Sequence, residues 1–351
     1  MNALACEILT YIRSDAPDEE TFNRLALKVF AYQYAENHPY RRLCDSAAID
    51  PGGVTHWTQI PAAPAIAYKR LELSCVPPAE AAAVFFSSGT TGAATSKHYF
   101  SADSLALYEA SLRRGYELAL GRHAGTEIWA MMPSPDYAPN SSLSHMLGTL
   151  GAARFFWDDN PSLALALSDR TEPVTLFGTA FAFVSLLDST DDNWSLPPGS
   201  TVVETGGFKG RTREVSRDEL YAMFRDRLGV PIDQCYSEYG MSEMASQFYG
   251  RGLDPVKRGP HWVRTRFIDL ESGHPIAGVD PAPAWDTQGL AQPERVGLLS
   301  HFDLANLNSV CAIQTEDLGA PADDGFILLG RATDAELRGC SLTVEELWNK
   351  Q

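Results

Sequence analysis

From Asp18 to Glu36 the apolar residues Phe22, Leu25, Leu27, Val29, Phe30 and Tyr34 return at mostly helical spacing behind the acid-rich start "PDEE", which predicts an amphipathic helix. The next distinct stretch, "QIPAAPAIAYKRLEL", opens with Pro61 and Pro64 and reads as a structured connection into the core. Beyond it the period changes. Short apolar runs ("AAVFFSS", "EIWAMMP", "ARFFW", "PVTLFG", "STVVETGG" and "PIDQCYSEYG") read as strands, separated by helix-like stretches such as Leu105 to Leu120 and Arg217 to Leu228. Such alternation predicts an α/β fold with a largely parallel sheet. From about Gly252 the texture turns to proline, glycine and tryptophan around "HWVRTRFID", "GLLSHFD" and "GFILLGR", and predicts a smaller β-rich subdomain over about 252–330.

Composition narrows the function. The chain of 351 residues is 44% hydrophobic, enough for a large core, and 45 acidic against 28 basic residues give a formal charge of -17. That charge argues against a nucleic-acid partner. The longest apolar run, Val174 to Leu187, has 14 residues, short of the about 20 that span a bilayer. The first residues, "MNALACEILTYIRSDAPDEE", lack a basic start and do not read as a secretory signal. Cys6, Cys44, Cys75, Cys235, Cys311 and Cys340 form no CxxC pair, as expected of reduced thiols and without structural zinc. A cytoplasmic protein is expected.

The chemistry concentrates in "VFFSSGTTGAATSKHYFS", Val84 to Ser101. Glycines let a backbone approach a ligand, and hydroxyls beside a lysine suit an oxyanion, so the stretch suggests a phosphate loop, although the same composition also makes a plain turn. It lacks the GxxxxGK[ST] spacing of NTPase P-loops. Downstream, in order, come "ETGGFKG" (Glu204–Gly210), "YGMSE" (Tyr239–Glu243), "TEDLG" (Thr315–Gly319) and "LGRATDAELRG" (Leu329–Gly339).

Together these motifs resemble the adenylate-forming (ANL) superfamily, whose phosphate loop reads [S/T]SGTTGxxK and whose later motifs are YGxTE, a GD pair and GRxxxxIKxxG. Within it the chain is similar to the acyl-protein synthetases of LuxE type, which activate a long-chain fatty acid for the reductase of bacterial bioluminescence. That likeness takes in "LALKVFAYQYAENHPYR", "IPAAPAIAYK", "SSLSHM" and "GRATDAELRGCSLT" as well, and so nearly the whole chain. Two departures stand out. Lys97 sits two positions later than the superfamily spacing, and the sequence ends about 20 residues past Arg331. The implied organisation is a large α/β adenylate-forming domain, 1–330, with the usual C-terminal domain reduced to a short tail, 331–351.

The resemblance also implies roles. Ser87, Ser88, Gly89, Thr90, Thr91, Gly92 and Lys97 would wrap the ATP phosphates. Tyr239 and Gly240 would cover the adenine, Ser242 would contact the α-phosphate, and Glu243 would hold Mg²⁺. Gly206 and Gly207 would admit nucleotide and acyl edge, while Asp317 and Arg331 would meet the ribose and phosphate oxygens. A turn or a surface charge is the plain alternative for each of these. Cys340, past the hinge-like motif, would accept the acyl group from the adenylate, although a free cysteine is also often a small buried apolar residue. His145 would lie near the reacting carboxylate or be a core histidine, and "FGTAFAFVSLL" would line an acyl pocket or form a core helix. The expected activity is ATP- and Mg²⁺-dependent conversion of a carboxylic acid to acyl-AMP, then transfer to a protein thiol for a reductase or carrier. The alternatives are a minimal acyl- or aryl-CoA ligase, an adenylate donor to a carrier protein, or a non-catalytic nucleotide- or acyl-binding protein.

Overall fold

The computed structural model describes residues 1–87, 95–206, 215–276, 296–322 and 324–332. In chain order the elements begin with α1 Ala3–Ile12, α2 Glu19–Glu36, α3 His38–Ser46, β1 Ala63–Pro64, β2 Ala83–Phe86, β3 Lys97–Phe100 and α4 Ala102–Leu120. There follow β4 Glu127–Met131, α5 Ser142–Thr149, β5 Arg154–Phe155, α6 Asn160–Ser168, β6 Val174–Thr179, α7 Ala180–Asp188, β7 Thr201–Thr205 and α8 Arg217–Met223. The series closes with β8 Cys235–Tyr239, β9 Phe248–Arg251, β10 Val256–Lys257, β11 Val263–Ile268, β12 Gly297–Asp303, β13 Ala312–Ala322 and β14 Gly325–Arg331. Packing divides the chain into two units: Met1–Arg114, Met241–Ser246 and Val256–Gln351 form one, and Gly115–Gly240 with Gln247–Pro255 the other.

In the first unit α2 begins where the acids predict, with the Asp18 carboxylate accepting from the Thr21 amide and Glu19 and Glu20 in the first turn against the positive helix end. Its buried stripe is Phe22, Leu25, Ala26, Val29, Phe30 and Gln33, spaced by threes and fours. Leu27 and Tyr34, expected on that face, are only partly buried; Ala26 and the amide of Gln33 take their places. Gln33 is tolerated there because it is fully paired: its Nε2 donates to the carbonyls of Asn306 and Leu307, and its Oε1 accepts from the Cys311 amide at 2.9 Å. Asn37 donates to Ser309 O. The amides of Gln33 on α2 and of Asn37, between α2 and α3, thus hold the turn-rich segment 304–311, which helps to build the site. The unit's sheet runs β10-β14-β13-β12-β11, all antiparallel, and the proline-containing connection adds β1 alongside β13 in parallel. Phe22, Trp57 and Phe302 meet in edge-to-face pairs with centroids 5.7–5.8 Å apart, binding α2 to β12. β2 and β3 make a separate antiparallel hairpin.

The second unit is the alternating α/β part. Its sheet runs β5-β4-β6-β7-β8-β9, parallel except for β9. Strands β6 and β7 are buried almost throughout, as their continuous apolar runs predict for a sheet covered on both faces. The run "FGTAFAFVSLL" resolves into the end of β6 and helix α7, whose Ala180, Phe183, Val184, Leu186 and Leu187 belong to this unit's core. Stretch 217–228 starts as α8 and continues as a π-type turn over Phe224–Leu228 that ends on Gly229 at φ 69°.

Candidate active site

In the first unit, the hairpin carries the end of the hydroxyl-rich stretch. Phe86 pairs with Lys97, and the next residues close on each other: the Ser87 amide donates to Ser96 O at 3.1 Å and the Ser96 amide to Ser87 Oγ at 3.0 Å. Lys97 is exposed, while His98, Tyr99 and Phe100 are buried. Strand β3 was not expected, because "KHYF" is short and shows no apolar–polar alternation. Residues 88–94, and with them Ser88, Gly89, Thr90, Thr91 and Gly92, lie outside the described residues, as do Gly207 and Cys340.

The same unit contains 241–246. Here the Ser96 hydroxyl donates to Glu243 Oε1, joining two motifs that are 147 residues apart. Glu243 is 6% exposed, and burial raises its carboxyl above the usual range, opposed by the Ser96 hydrogen bond and by the charges of Lys69 and Arg331. Ser242 Oγ reaches Phe86 O at 3.4 Å. His98 Nδ1 lies 2.6 Å from Ser242 O, and its Nε2 3.0 Å from Asn306 Oδ1. Burial pushes this imidazole down, to about 4, against the upward pull of those two oxygens. Asp303, fully buried at the end of β12, accepts from the amides of Ala245 and Ala305 and from the Ser246 hydroxyl; burial lifts its carboxyl to about 6.

Asp317 and Arg331, expected at the ribose, also belong to this unit. Asp317 and Arg331 are opposite each other in the β13–β14 ladder. Arg331, whose side chain is 71% exposed, makes an ion pair with Glu316 at 3.0 Å. Asp317 is held locally, its amide donating to Thr315 Oγ1, which donates in turn to Leu299 O.

In the second unit, Gly206 follows β7, and Tyr239 with Gly240 ends β8, its parallel neighbour. The C-terminal ends of parallel strands are where open α/β sheets bind ligands. Gly206 has φ 67°, a conformation that favours glycine, and a Cβ on Gly240 would stand 2.7 Å from Glu238 Oε1. The Thr205 hydroxyl donates to Glu238, and Tyr221 OH reaches Glu204 at 3.4 Å. Tyr239 is 9% exposed and packs on Phe248, with centroids 5.9 Å apart. His145 lies on α5.

Sequence reasoning thus missed Ser96, His98, Asp303, Asn306 and the charge of Lys69. None follows a motif spacing; for Asp303 and Asn306 the signal that could have found them is a concentration of polar residues, "DLANLNS", immediately after an apolar strand.

No family model and no curated protein matches the sequence. Solved structures match by fold. 2-Hydroxyisobutyryl-CoA ligase in its postadenylation state with 2-HIB-AMP aligns at TM-score 0.64 and 14% identity over 89% of this chain and 67% of that one. An open conformation of the ligase with 2-HIB-AMP and CoA gives 0.63 and 13% over 90% and 70%. ATP-bound MatB from Rhodopseudomonas palustris gives 0.50 and 15% over 73% of this chain and 49% of MatB, so the chain matches about half of that protein. The mixed α/β fold is therefore shared with ligases solved with acyl-adenylate or ATP. Among the described residues no helix is long and apolar enough to cross a membrane.

Proposed function

We propose that this chain activates a carboxylic acid with ATP, forming acyl-AMP, and passes the acyl group to a thiol. The supporting observation is the Ser96–Glu243 hydrogen bond, which joins the end of the phosphate-loop-like stretch to the last residue of "YGMSE", both within the first unit. The shared fold supports the same reading.

In the first half-reaction a carboxylate oxygen attacks the α-phosphorus, the bond to the β-phosphate oxygen breaks, and pyrophosphate leaves. Such chemistry asks for positioning and neutralisation of charge. Lys97 and the hydroxyls near it would bind the leaving phosphates, Ser242 the α-phosphate, Asp317 the ribose and Tyr239 the base. Mg²⁺ fits Glu243. Among the described residues no three His, Cys, Asp or Glu side chains form a metal cage, but a nucleotide-bound Mg²⁺ needs only one or two carboxylates beside phosphate oxygens and water. A buried carboxyl raised above its usual range, hydrogen-bonded to the Ser96 hydroxyl, would gain from a cation. The ion would neutralise phosphate charge.

In the second half-reaction a thiolate attacks the acyl carbon and AMP leaves. Following the LuxE-type resemblance, the acid is a fatty acid, the thiol is Cys340, and the final acceptor is a partner reductase or carrier protein. A second reading, a CoA ligase, is favoured by the CoA bound to a ligase of the same fold. Incubation with ATP, Mg²⁺ and labelled acid separates the two. Hydroxylamine-sensitive label on the chain, lost in Cys340→Ser, supports the protein thiol; labelled CoA thioester with an unlabelled chain replaces it with the ligase.

A further inference from the structure

Two aromatic rings meet on the surface of the second unit. Tyr137 is 67% exposed and Trp157 50%, and their centroids lie 4.5 Å apart with the planes at 50°. Single exposed apolar side chains are ordinary; a contacting aromatic pair that the fold leaves uncovered points to a ligand. The backbone beneath both rings is fixed. The amides of Tyr137 and Ala138 donate to Ser134 O at 3.1 and 2.9 Å, and Pro135 packs so closely on α5 that a Cβ on Gly148 would stand 2.6 Å from it. Before Trp157, the Phe156 amide donates to Ala130 O at 2.7 Å; after it, Asp159 caps α6 by accepting from the Ser162 amide at 3.2 Å. The rings are thus offered to a ligand with little left to order on binding.

Charge decides what the ligand is. The sequence sets acids beside both rings, Asp136 before Tyr137 and Asp158 and Asp159 after Trp157. All three are exposed, and among the described residues none of them forms an ion pair. Arg154, the basic residue nearest before Trp157, is engaged elsewhere, with its guanidinium 4.9 Å over the Trp129 ring and 4.6 Å over Phe156. The face of an aromatic ring is negative, so two rings and three carboxylates repel phosphates, acidic peptides and anionic lipid and attract a cation. A guanidinium suits both features: it is flat and weakly hydrated, stacks on a ring, and keeps N–H groups free for a carboxylate. Acids on both sides of the pair call for more than one positive charge, hence a segment rather than a single cation. A second copy of this chain, at -17, is repelled.

We propose that Tyr137 and Trp157 form a docking site for an arginine-bearing segment of a partner protein, one guanidinium laid on the rings and its neighbours paired with Asp136, Asp158 and Asp159. The pair lies beyond the carboxyl ends of β4 and β5, on the edge of the sheet where β7 and β8 bring Gly206 and Tyr239. A docked partner therefore stands on the ligand-binding edge of this unit. The site needs neither ATP nor an acid, so it stands or falls apart from the nucleotide-site reading.

The test is a titration of the full chain, labelled with nitrogen-15 at tryptophan, with a blocked peptide of arginines alternating with glycines, at about 0.15 M salt so that general charge attraction is screened. The indole N–H signals are read, and Trp157→Phe assigns the one that belongs to Trp157. A saturable shift of that signal is expected, with the other tryptophans unmoved. Tyr137→Leu, which keeps an apolar side chain but removes the ring, should weaken binding about 2- to 5-fold, the loss of one exposed cation–π contact. Asp136→Asn with Asp158→Asn should weaken it by a similar factor of about 2 to 5; Asn also tolerates the φ of 54° at position 158. No Trp157 shift, equal shifts of all the tryptophans, an equal response to the same peptide with glutamate for arginine, or undiminished binding in Tyr137→Leu would each overturn the proposal. Blocked single arginine binding as tightly as the peptide would overturn the choice of a protein segment.

Discussion

Replacing Asp303 by Asn tests how the site segment is held. The carboxyl is fully buried, and burial lifts it from its ordinary 3.8 to about 6 despite three donated hydrogen bonds. Between those values the folded chain binds more protons than the unfolded one, so this group's contribution to stability is greatest below 3.8 and is lost as pH rises through about 6. The raised carboxyl then lowers stability by about 3 kcal/mol at pH 8 and about 1.6 kcal/mol at pH 5, where it is ionised mainly in the unfolded chain. Asn carries no such charge. It does lose one acceptor: with Oδ1 kept toward Ser246 and Ala305, its amide nitrogen meets the Ala245 N–H, at a pH-independent cost of about 1–3 kcal/mol. The variant's unfolding free energy relative to the native chain should therefore rise by about 1.4 kcal/mol from pH 5 to pH 8. Urea unfolding followed by tryptophan fluorescence at both values measures this. A difference that stays the same at both pH values, or falls, would refute the reasoning.

Lys97→Ala and Glu243→Gln, in chains that still fold, should each slow adenylate formation by about a hundredfold or more, since both are assigned to charge on phosphate; near-native rates in both variants would remove that assignment. Asp317→Ala should raise the apparent KM for ATP more than it lowers kcat, because ribose contacts are alike in ground and transition states; an unchanged KM contradicts it. Gly206→Ala forces a side chain into φ 67° with no steric neighbour within 4 Å, so it should cost about 1 kcal/mol of stability from the backbone alone, read by urea unfolding. Equal stability would mean that the turn relaxes freely.

The parallel strands of the second unit were legible because strands buried on both faces are simply apolar, as in "VTLFGT", whereas the antiparallel β9 was not expected. Helix α2 was legible as a helix, but its inner face was misread at two positions. An apolar pattern cannot register Gln33, a buried amide whose three hydrogen bonds go to residues more than 270 positions away. The candidate site divides in the same way. Motif residues such as Ser242 and Glu243 could be named from their neighbours in sequence. His98 could not be given a role, because its partners, Ser242 and Asn306, lie 144 and 208 residues distant. Asp303 and Asn306 sit in a polar run without period, where side chains replace a ladder, and only the folded chain shows which backbone groups they satisfy.

The most direct test of acid activation is ATP–pyrophosphate exchange by the full chain with Mg²⁺ and a panel of carboxylic acids, from short and aryl acids to long-chain fatty acids. Exchange that depends on one class of acid, strongest for fatty acids, and that disappears in Glu243→Gln is the predicted result; no exchange above the acid-free rate with any member of the panel, from a chain that still binds ATP, would contradict it.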